Sequence, residues 1–576
     1  MTVRVRAPEL RGRGWLNTGG TAYSIADLRG RFVLLDFWTF CCVNCLHVID
    51  ELRQVEEKYS EELVVVGVHS PKFVHEADPD ALRAAVERYE VHHPVLDDPE
   101  LITWQAYTAR AWPTLVLVDP EGYVVAQYAG EGHAHAIDRM LAELVDEHRA
   151  KGTLQPGDSP YVPPEVTPTV LRFPADAVPL ENGHVLVADA GHDRVVELEG
   201  AGEGQAVVRE WGGFKEPNGL CVVGSTAYVA DTVHHQLTSI DLASGDVAVL
   251  AGDGHQWMQG DSTDRLSSPW AVAWWQERVW IAMAGIHQLW TYDPATGAVE
   301  VAAGTTNEGL LDAPLLEAWF AQTSGLAVAG DRLWLVDPET SSLRFVEDGR
   351  VHTVVGQGLF DFGFRDGPGN EALLQHPLGV TVLPDGSVAV CDTYNGAVRR
   401  YDLATDEVTT LTGGLAEPSA AYVDGEHLVV VESNAHRLTR VPVGAAASRT
   451  EGFSHTTQRP VTEVAETLAL EVAFTPPPGQ KVDDRFGPPS QLVVEATPPA
   501  LLRTGEGRGT ELTRTLVLDP AVGEGVLHVA ARAASCDIEG ENAACHMHQQ
   551  DWGVPIRVAT GVDDVLRLPL GDSSAG

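Results

Sequence analysis

Two cysteines separated by two residues carry the clearest chemistry in this sequence. Cys42 and Cys45 close the string Leu35-Asp-Phe-Trp-Thr-Phe-Cys-Cys-Val-Asn-Cys45, which follows an apolar run of strand length. A helix predicted to begin within a residue or two of Cys42 would place that thiol at the positive end of the helix dipole, where backbone N–H groups stabilise a thiolate. Cys45, one turn later, could then attack the mixed disulfide that Cys42 forms. The spacing predicts thiol–disulfide exchange.

Two other chemistries compete for the same cysteines. Cys41 and His47 lie nearby, so the pair is also half of a zinc site, although no second Cys or His pair follows in this segment to complete four ligands. A peroxiredoxin-like peroxidase is the other alternative, because Thr39 falls where that family has a Thr before its peroxidatic cysteine. Leu35, however, stands where that family has Pro. The sequence predicts neither a resident metal nor a cofactor.

Alternating strand and helix patterns surround the two cysteines. Arg31–Phe37 and Leu63–Val68 are apolar runs of strand length, whereas Leu46–Tyr59 and Asp80–Tyr89 have helical periodicity. A hairpin and a last helix are predicted to complete the segment by Arg149. This alternation predicts an α/β domain with a mixed sheet over the first 150 residues, followed by a Pro- and Gly-rich linker over residues 151–167.

The segment resembles the thioredoxin superfamily, particularly its TlpA/ResA-like branch. Trp38 lies four residues and Asp36 six residues before Cys42, as in thioredoxin. The resemblance implies that a buried Asp36 accepts or relays the proton of Cys45. It also implies that Pro113, in the string Trp-Pro-Thr, forms the cis-proline loop that faces the cysteines and binds extended substrate. The Val-Asn pair in place of the usual Gly-Pro leaves the redox potential open.

A repeat begins beyond the linker. A short strand followed by a turn recurs at intervals of 42, 52, 54, 55 and 40 residues, ending at Asp189, Asp231, Met283, Asp337, Asp392 and Glu432. Periods near 40–50 residues with several short strands indicate propeller blades. Each Asp is predicted to bond backbone N–H groups two residues further on and so to fix the corner between strands, which Met283 cannot do.

Two of these turns resemble NHL repeats. Asp392-Thr-Tyr-Asn-Gly-Ala-Val-Arg and, more loosely, Asp231-Thr-Val-His-His-Gln-Leu match that family's Asp-Thr-x-Asn-x-x-Ile turn. A six-bladed NHL-type β-propeller is therefore expected over residues 168–446. Residues 168–172 are predicted to pair with 437–443 as the fourth strand of the last blade, because an unfilled edge exposes unpaired backbone groups. The turn histidines are interpreted as solvated: His234, His235, His287 and His436.

The remaining segment alternates apolar and polar residues between Pro/Gly turns, which predicts a small antiparallel β-sandwich over residues 454–572. Cys536 and Cys545 bracket an acidic loop within it, and His546 and His548 follow. A loop disulfide, a metal site, a redox-active pair and inert thiols all remain open for these two cysteines. Cys221 and Cys391 are interpreted as buried apolar residues of blade strands.

This last segment distantly resembles the N-terminal β domain of the DsbD reductases, through Gly479-Gln-Lys-Val-Asp483 and the stretch from Cys545 to Pro555. In that family a cysteine pair on an immunoglobulin-like sandwich exchanges with thioredoxin-like partners. The resemblance implies exchange between the Cys42/Cys45 pair and the Cys536/Cys545 pair within this chain.

Across nearly its whole length the chain resembles the NHL-repeat-containing protein 2 family. Both the domain order (thioredoxin-like domain, six NHL repeats, β-rich tail) and the string Phe40-Cys-Cys-Val-Asn-Cys45, similar to that family's Cys-Cys-x-Asn-Cys, carry the resemblance. The resemblance implies a multidomain intracellular protein and leaves its substrate undefined.

The composition narrows the expected partners. The chain has 39 basic and 82 acidic residues and a formal net charge of −43, so neither nucleic acid nor an anionic membrane is expected to bind it. Residues 1–16 lack the apolar run of a signal peptide, and no stretch approaches the roughly 18 apolar residues of a membrane span. Seven cysteines are few for 576 residues, which is typical of a reduced, cytoplasmic protein.

Two functions remain in competition. The chain is either a cytosolic thiol–disulfide oxidoreductase whose propeller binds a protein partner, or a scaffold whose cysteine pair serves as a redox sensor. The joint presence of Asp36, Trp38, Cys42, Cys45 and Pro113 favours the enzyme. The expected substrate is a protein or a small disulfide.

Overall fold

The computed structural model describes residues 5–200, 206–258, 260–359, 361–443, 450–456, 461–476, 480–482, 488–497, 499–537 and 545–570. The chain forms two compact units. One unit combines Met1–Val166 with Gln458–Gly576, and the other is Thr167–Thr457. Among the described residues, no helix combines the length and the apolar character needed to cross a bilayer.

The N-terminal part of the first unit is a mixed sheet with helices, as the sequence predicts. The strands run in the order β1-β7-β6-β3-β4-β5-β2. Their bounds are Val5–Arg6 (β1), Gly14–Leu16 (β2), Phe32–Trp38 (β3), Leu63–His69 (β4), Val95–Asp97 (β5), Thr114–Val118 (β6) and Tyr123–Ala129 (β7). The helices are Val43–Lys58 (α1), Pro79–Arg88 (α2), Ile102–Ala106 (α3) and Ala134–Lys151 (α4).

Burial explains why the central strands are continuous apolar runs. β3 pairs with β4 in parallel and with β6 in antiparallel fashion, and every residue of β3 and β4 is buried. Strands covered on both faces are apolar throughout rather than alternating. α1 packs Val48, Leu52 and Val55 into the same core, together with Ile137 and Leu141 of α4. This core holds the end of β3 and the start of α1 in place.

The second unit is the predicted propeller, with six blades of short antiparallel strands. The first three blades are Asp176–Pro179 (β8), Val185–Asp189 (β9), Arg194–Leu198 (β10) and Val207–Gly212 (β11); Pro217–Val223 (β12), Thr226–Asp231 (β13), Gln236–Asp241 (β14) and Val247–Ala251 (β15); and Pro269–Trp275 (β16), Arg278–Met283 (β17), Gln288–Tyr292 (β18) and Val299–Ala303 (β19). The fourth is Leu326–Ala329 (β20), Arg332–Asp337 (β21), Ser342–Glu347 (β22) and Arg350–Val355 (β23).

The last two blades depart from the four-stranded pattern. Asp361–Arg365 (β24) precedes the fifth blade, which comprises Gly367–Pro368 (β25), Gly379–Val382 (β26), Val388–Asp392 (β27), Ala397–Asp402 (β28) and Glu407–Gly413 (β29). The described strands of the sixth are Pro418–Asp424 (β30), His427–Glu432 (β31) and Arg437–Pro442 (β32). Glu451–Thr456 (β33) pairs with β24. Residues 444–446, at the end of the predicted propeller, lie outside the described part of the chain.

The acidic residue of five of the blades acts differently from the prediction. Its carboxylate accepts a hydrogen bond from a backbone N–H that lies 16 or 17 residues earlier, not two residues later. The pairs, acceptor first, are Asp189 with Arg172, Asp231 with Lys215, Asp337 with Ala321, Asp392 with Gln375 and Glu432 with Ala416. The carboxylate therefore ties the end of a blade's second strand to the segment that leads into that blade.

Three of the turn histidines are structural, so the interpretation of them as solvated residues is wrong. Each occupies a left-handed turn position, and its Nδ1 accepts a 3.0 Å hydrogen bond from a backbone N–H that leads into the next blade. The pairs are His235 with Ser268, His287 with Gln322 and His436 with Phe173. His234 remains 45% exposed, 2.9 Å from the Asp231 carboxylate.

The predicted closure of the ring is also wrong. Residues 168–172 form no strand, and the described part of the sixth blade has three strands. The first and last blades instead meet through side chains, because β8 and β30 pack against each other as the first strands of other neighbouring blades do. Ala177 and Val187 share a buried cluster with Tyr422 and Val431. The His436–Phe173 hydrogen bond crosses the same junction.

The C-terminal part of the first unit is a β-sandwich of two sheets. One runs in the order β34-β42-β41-β37-β39, with β36 beside β41, and the other in the order β38-β40-β35-β43. The strands are Thr462–Val464 (β34), Thr467–Phe474 (β35), Gln480–Val482 (β36), Ser490–Thr497 (β37), Leu502–Thr504 (β38), Gly507–Gly509 (β39), Thr513–Leu518 (β40), Glu524–Asp537 (β41), Cys545–Val558 (β42) and Val565–Leu570 (β43).

The prediction of an entirely antiparallel sandwich is wrong at two strand pairs. β34 lies parallel to β42, and β35 lies parallel to β43. Strands paired in this way are distant in sequence, so no hairpin forces them to be antiparallel. Leu468, Leu470, Leu492 and Leu527 belong to the core between the two sheets.

Candidate functional site

The two cysteines lie at the junction of β3 and α1. Cys42 is the N-cap residue of α1, with extended backbone angles of φ −93° and ψ 107°. Its carbonyl oxygen accepts hydrogen bonds from the backbone N–H groups of Cys45 at 2.9 Å and of Leu46 at 3.2 Å. None of Cys41, Cys42 and Cys45 is part of a disulfide. The structure thus places Cys42 at the start of the helix, as predicted.

The side chains of Cys42 and Cys45 contact each other directly. Cys42 is 4% exposed and Cys45 is fully buried. Burial raises the pKa of the Cys45 thiol well above its usual value, and the hydrogen bond with Cys42 and the charge of nearby Asp36 raise it further. Cys45 therefore keeps its proton until another group accepts it, which suits a residue that acts second.

Asp36 is fully buried on β3, as the thioredoxin resemblance implies. In the strand register it stands opposite Gly67 of β4 on one side and Leu115 of β6 on the other. Neither carboxylate oxygen has a hydrogen-bond partner among the described residues. Burial raises the pKa of Asp36 to about 7, opposed by the positive charge of His93 and assisted by the negative charge of Glu56. A carboxyl with this pKa can exchange a proton near neutrality.

Trp38 lies two residues after Asp36 and therefore on the same face of β3. Its indole is fully buried, and the ring centroid is 5.3 Å from that of His69. Burial lowers the pKa of His69 to about 3, so this imidazole is neutral. His69 also stacks on Phe40. Trp38 and Phe40 together cover the end of β3, just before the turn that leads to Cys42.

Pro113 follows a cis peptide bond at the start of β6. Thr114, the next residue, pairs with Phe37 of β3, so Pro113 lies beside the end of the strand that leads to the cysteines. The indole N–H of Trp112 donates to the Ser70 carbonyl at 2.7 Å. Ala111 is buried in the same apolar cluster as the core of the C-terminal sandwich. The loop before β6 is therefore held on both sides.

Glu76 is a site residue that the sequence analysis missed. It is fully buried, and its carboxylate accepts hydrogen bonds from the Thr39 hydroxyl at 2.6 Å and from the Cys41 backbone N–H at 2.9 Å. The other oxygen accepts from the backbone N–H groups of Lys72 and Phe73. Glu76 thereby fixes the backbone beside Cys42. Because Thr39 donates to Glu76, its hydroxyl is committed to this network.

His47 and Glu51 of α1 form a second polar group with Glu131, which lies between β7 and α4. His47 Nδ1 lies 2.6 Å from a carboxylate oxygen of Glu131. Burial opposes protonation of His47, but the charge and hydrogen bond of Glu131, together with the charges of Glu51 and Asp50, outweigh it and raise the His47 pKa. Burial and the Glu131 charge raise the pKa of Glu51 to about 7. His47 is therefore engaged with carboxylates.

The structure bears on the four interpretations of Cys536 and Cys545, namely a loop disulfide, a metal site, a redox-active pair and inert thiols. Cys536 is disulfide-bonded, and the antiparallel register places Cys545 directly opposite it. Nε2 of His548 lies 2.8 Å from the Ser535 hydroxyl. The side chains of Cys545 and His546 lie outside the described part of the structure, as do Gly479 and Asp483.

One group of three potential metal ligands occurs among the described residues, and it contains no cysteine. It consists of Asp119, Glu121 and His148. Asp119 already accepts hydrogen bonds from the backbone N–H groups of Glu121 and Tyr123, and His148 Nδ1 contacts the Thr153 hydroxyl. These contacts use Asp119 to hold the turn after β6 and His148 to hold the chain just beyond α4.

Comparisons with known proteins agree with both folds. The thioredoxin-like family model matches residues 30–124, and the NHL repeat model matches residues 374–401. NHL repeat-containing protein 2 from Bos taurus is 34% identical over 499 residues, which cover 74% of this chain and 68% of that protein. Protein SUPPRESSOR OF QUENCHING 1, chloroplastic, from Arabidopsis thaliana is 36% identical over 454 residues, covering 72% of this chain but only 42% of its own length.

A shorter relative matches the thioredoxin-like part alone. Thiol-disulfide oxidoreductase YkuV from Bacillus subtilis is 23% identical over 148 residues, which are 26% of this chain and 99% of that protein. The match spans nearly all of a protein that is no larger than this one domain.

Proposed function

We propose that this chain, which belongs to the NHL repeat-containing protein 2 family, is a thiol–disulfide oxidoreductase that acts on protein or small disulfides. The thioredoxin-like domain and its relatives indicate thiol–disulfide redox chemistry. One observation supports its assignment to specific residues. Two hydrogen-bonded free thiols, Cys42 and Cys45, lie at the start of α1 beside the buried carboxyl of Asp36.

The proposed reaction has two steps. The Cys42 thiolate attacks one sulfur of the substrate disulfide, a mixed disulfide forms, and the other substrate sulfur leaves as a thiolate. Cys45 then gives its proton to Asp36 and attacks the Cys42 sulfur, which expels the second substrate thiolate. The substrate gains two electrons, and the enzyme ends with a Cys42–Cys45 disulfide. An external dithiol or a reduced protein partner must restore the enzyme.

The propeller is proposed to bind the partner protein. Loops on a rigid scaffold are common binding surfaces. Within the chain, the Cys536 disulfide is a further proposed partner for the reduced Cys42/Cys45 pair, since Cys536 is oxidised while Cys42 and Cys45 are free. We also propose a cytosolic location, on the low cysteine content of the sequence.

A trapping experiment tests the assignment of Cys42 and identifies its partner. In Cys45→Ser protein the mixed disulfide at Cys42 has no resolving thiol, so we expect a stable adduct after mixing with an oxidised cell extract. Peptide mass mapping under non-reducing conditions identifies the sulfur joined to Cys42, from a client or from Cys536 or Cys545. The matched control, Cys45→Ser combined with Cys42→Ser, should form no adduct. Equal adduct yields from the two proteins would contradict the proposal.

A further inference from the structure

The pocket beneath the cysteines contains a histidine that the two-step reaction does not use. His93 lies in the segment before β5 and is 2% exposed. Gly67, opposite Asp36 in the strand register, has no side chain, and this leaves room for two rings. A methyl group added at residue 67 would lie 2.9 Å from Trp38 Nε1 and 3.1 Å from His93 Nε2. The imidazole therefore reaches into the space beside the buried carboxyl.

The other edge of the same imidazole faces an acidic side chain of α1. His93 Nδ1 lies 3.2 Å from Glu56 Oε1, an ion-pair distance. The Glu56 side chain is 22% exposed, whereas the Asp36 side chain is completely buried. His93 thus lies between a carboxyl without access to water and a carboxylate that has such access.

The backbone around His93 is fixed on both sides. The Asn17 side-chain amide donates to the carbonyl oxygens of Val91 at 2.8 Å and of His93 at 3.1 Å. The Gly67 backbone N–H donates to the carbonyl of Pro94 at 3.0 Å. These bonds hold the imidazole at its place without using either ring nitrogen.

We propose that His93 is a positioning residue that sets the protonation of Asp36 and carries the proton taken from Cys45 outward to Glu56 and water. The inference rests on the proposed oxidoreductase function. In the second step the Cys45 proton moves to the Asp36 carboxylate and then, through one bridging water or a small movement of the carboxyl toward the ring, to one ring nitrogen of His93, while the other ring nitrogen releases a proton toward Glu56. No electrons move along this path, and Asp36 returns to its ionised form for the next cycle.

The charges around Asp36 determine what each substitution should do. Asp36 is faced by Cys45 and Glu56 from α1 and by His93 from the segment before β5. Its strand neighbours, Gly67 and Leu115, carry no charge. A positive His93 favours the ionised carboxylate, and a negative Glu56 disfavours it. Loss of His93 and loss of Glu56 should therefore shift the titration of Asp36 in opposite directions.

The resolving step can be measured in the full chain with a coloured disulfide, 5,5′-dithiobis(2-nitrobenzoate). The first thionitrobenzoate leaves when Cys42 attacks, and the second leaves when Cys45 attacks the Cys42 sulfur. Stopped-flow absorbance from pH 5 to 9 separates the two releases, and Cys42→Ser protein supplies the background from other thiols. The rate of the second release should rise with pH as Asp36 ionises.

We expect His93→Gln to slow the second release about 10-fold at pH 6, within the range of general acid–base contributions. The same substitution should move the acid limb of the pH–rate profile for the second release to higher pH. Glu56→Gln, at a partly exposed position, should move the limb to lower pH. His92, the exposed neighbour of His93, supplies the matched control. His92→Gln should leave the rates of both releases unchanged. Shifts in the same direction for both variants, or an unshifted His93→Gln profile, would overturn the proposal. If both releases persist in that case, the oxidoreductase function itself stands.

Discussion

The Cys42→Ser protein is expected to reduce disulfides on the order of 1,000-fold more slowly than the unchanged chain, which amounts to a loss of measurable turnover. A serine hydroxyl does not ionise near neutral pH, and Cys45 is fully buried with a raised pKa, so it cannot take over the first attack. The measurement is the dithiothreitol-driven reduction of insulin by the full-length protein, followed by turbidity.

The neighbouring cysteine provides the control for this loss. Cys41 is a buried thiol next to Cys42 and is not part of a disulfide, and its backbone N–H donates to Glu76 whatever side chain it carries. Cys41→Ser should therefore retain turnover within about threefold. Wild-type turnover by Cys42→Ser protein would exclude Cys42 as the nucleophile. A loss confined to Cys41→Ser would move the chemistry to the adjacent residue.

The Asp36→Asn protein is expected to resist opening of β3 more strongly than the unchanged chain at pH 8. The pKa of Asp36 is about 7 in the folded chain, against an ordinary value of 3.8. Between these two values the folded chain retains a proton that the unfolded chain has released, so stability falls as pH rises through this window. At 1.36 kcal/mol per pKa unit, the free energy of unfolding lost through Asp36 reaches about 4 kcal/mol at pH 8 and is less than half as large at pH 5.

Hydrogen exchange of peptides that cover β3 and α1, corrected for intrinsic rates, measures this difference. Asn is nearly the same size as Asp but never ionises, so the gain should be larger at pH 8 than at pH 5. Asp146→Asn on α4, where the carboxylate is 82% exposed, is the control and should change stability by less than about 0.5 kcal/mol. An equal gain at both pH values would show that burial of the Asp36 charge is not its source.

The local part of the site could be predicted from the sequence because it depends on short spacings. One strand, one turn and one helix position Asp36, Trp38, Cys42 and Cys45, and the apolar run followed by helical periodicity reveals all three elements. Glu76 could not be found in this way. Its four hydrogen-bond donors include Thr39 and Cys41, 35 or more residues away, and only the folded sheet brings them together.

His93 escaped prediction for a related reason. Its place beside Asp36 follows from the register of β3 against β4 and from the missing side chain of Gly67, and neither leaves a pattern near residue 93. The residue types alone, two histidines before a proline, are also typical of an exposed turn. Only His92 of the two is exposed.

In the propeller, too, features that depend on residues close in sequence could be predicted, whereas contacts between distant residues could not. The period of the repeat predicts the blades, because each blade is built from strands adjacent in sequence. The partners of Asp392 and His436 were not predictable, since Asp392 bonds a residue 17 positions earlier and His436 bonds Phe173 at the opposite end of the ring. Side-chain packing between β8 and β30 closes the ring, so no strand need be shared.

The oxidation state of one peptide shows directly whether Cys42 and Cys45 supply the electrons for disulfide reduction. Reduced full-length protein is mixed with a small molar excess of oxidised insulin, quenched with acid, alkylated and digested. We expect the peptide containing Cys42 and Cys45 to lose two hydrogens and to resist alkylation, with one insulin disulfide reduced for each chain oxidised. Reduction of insulin while Cys42 and Cys45 both remain alkylatable would contradict this expectation.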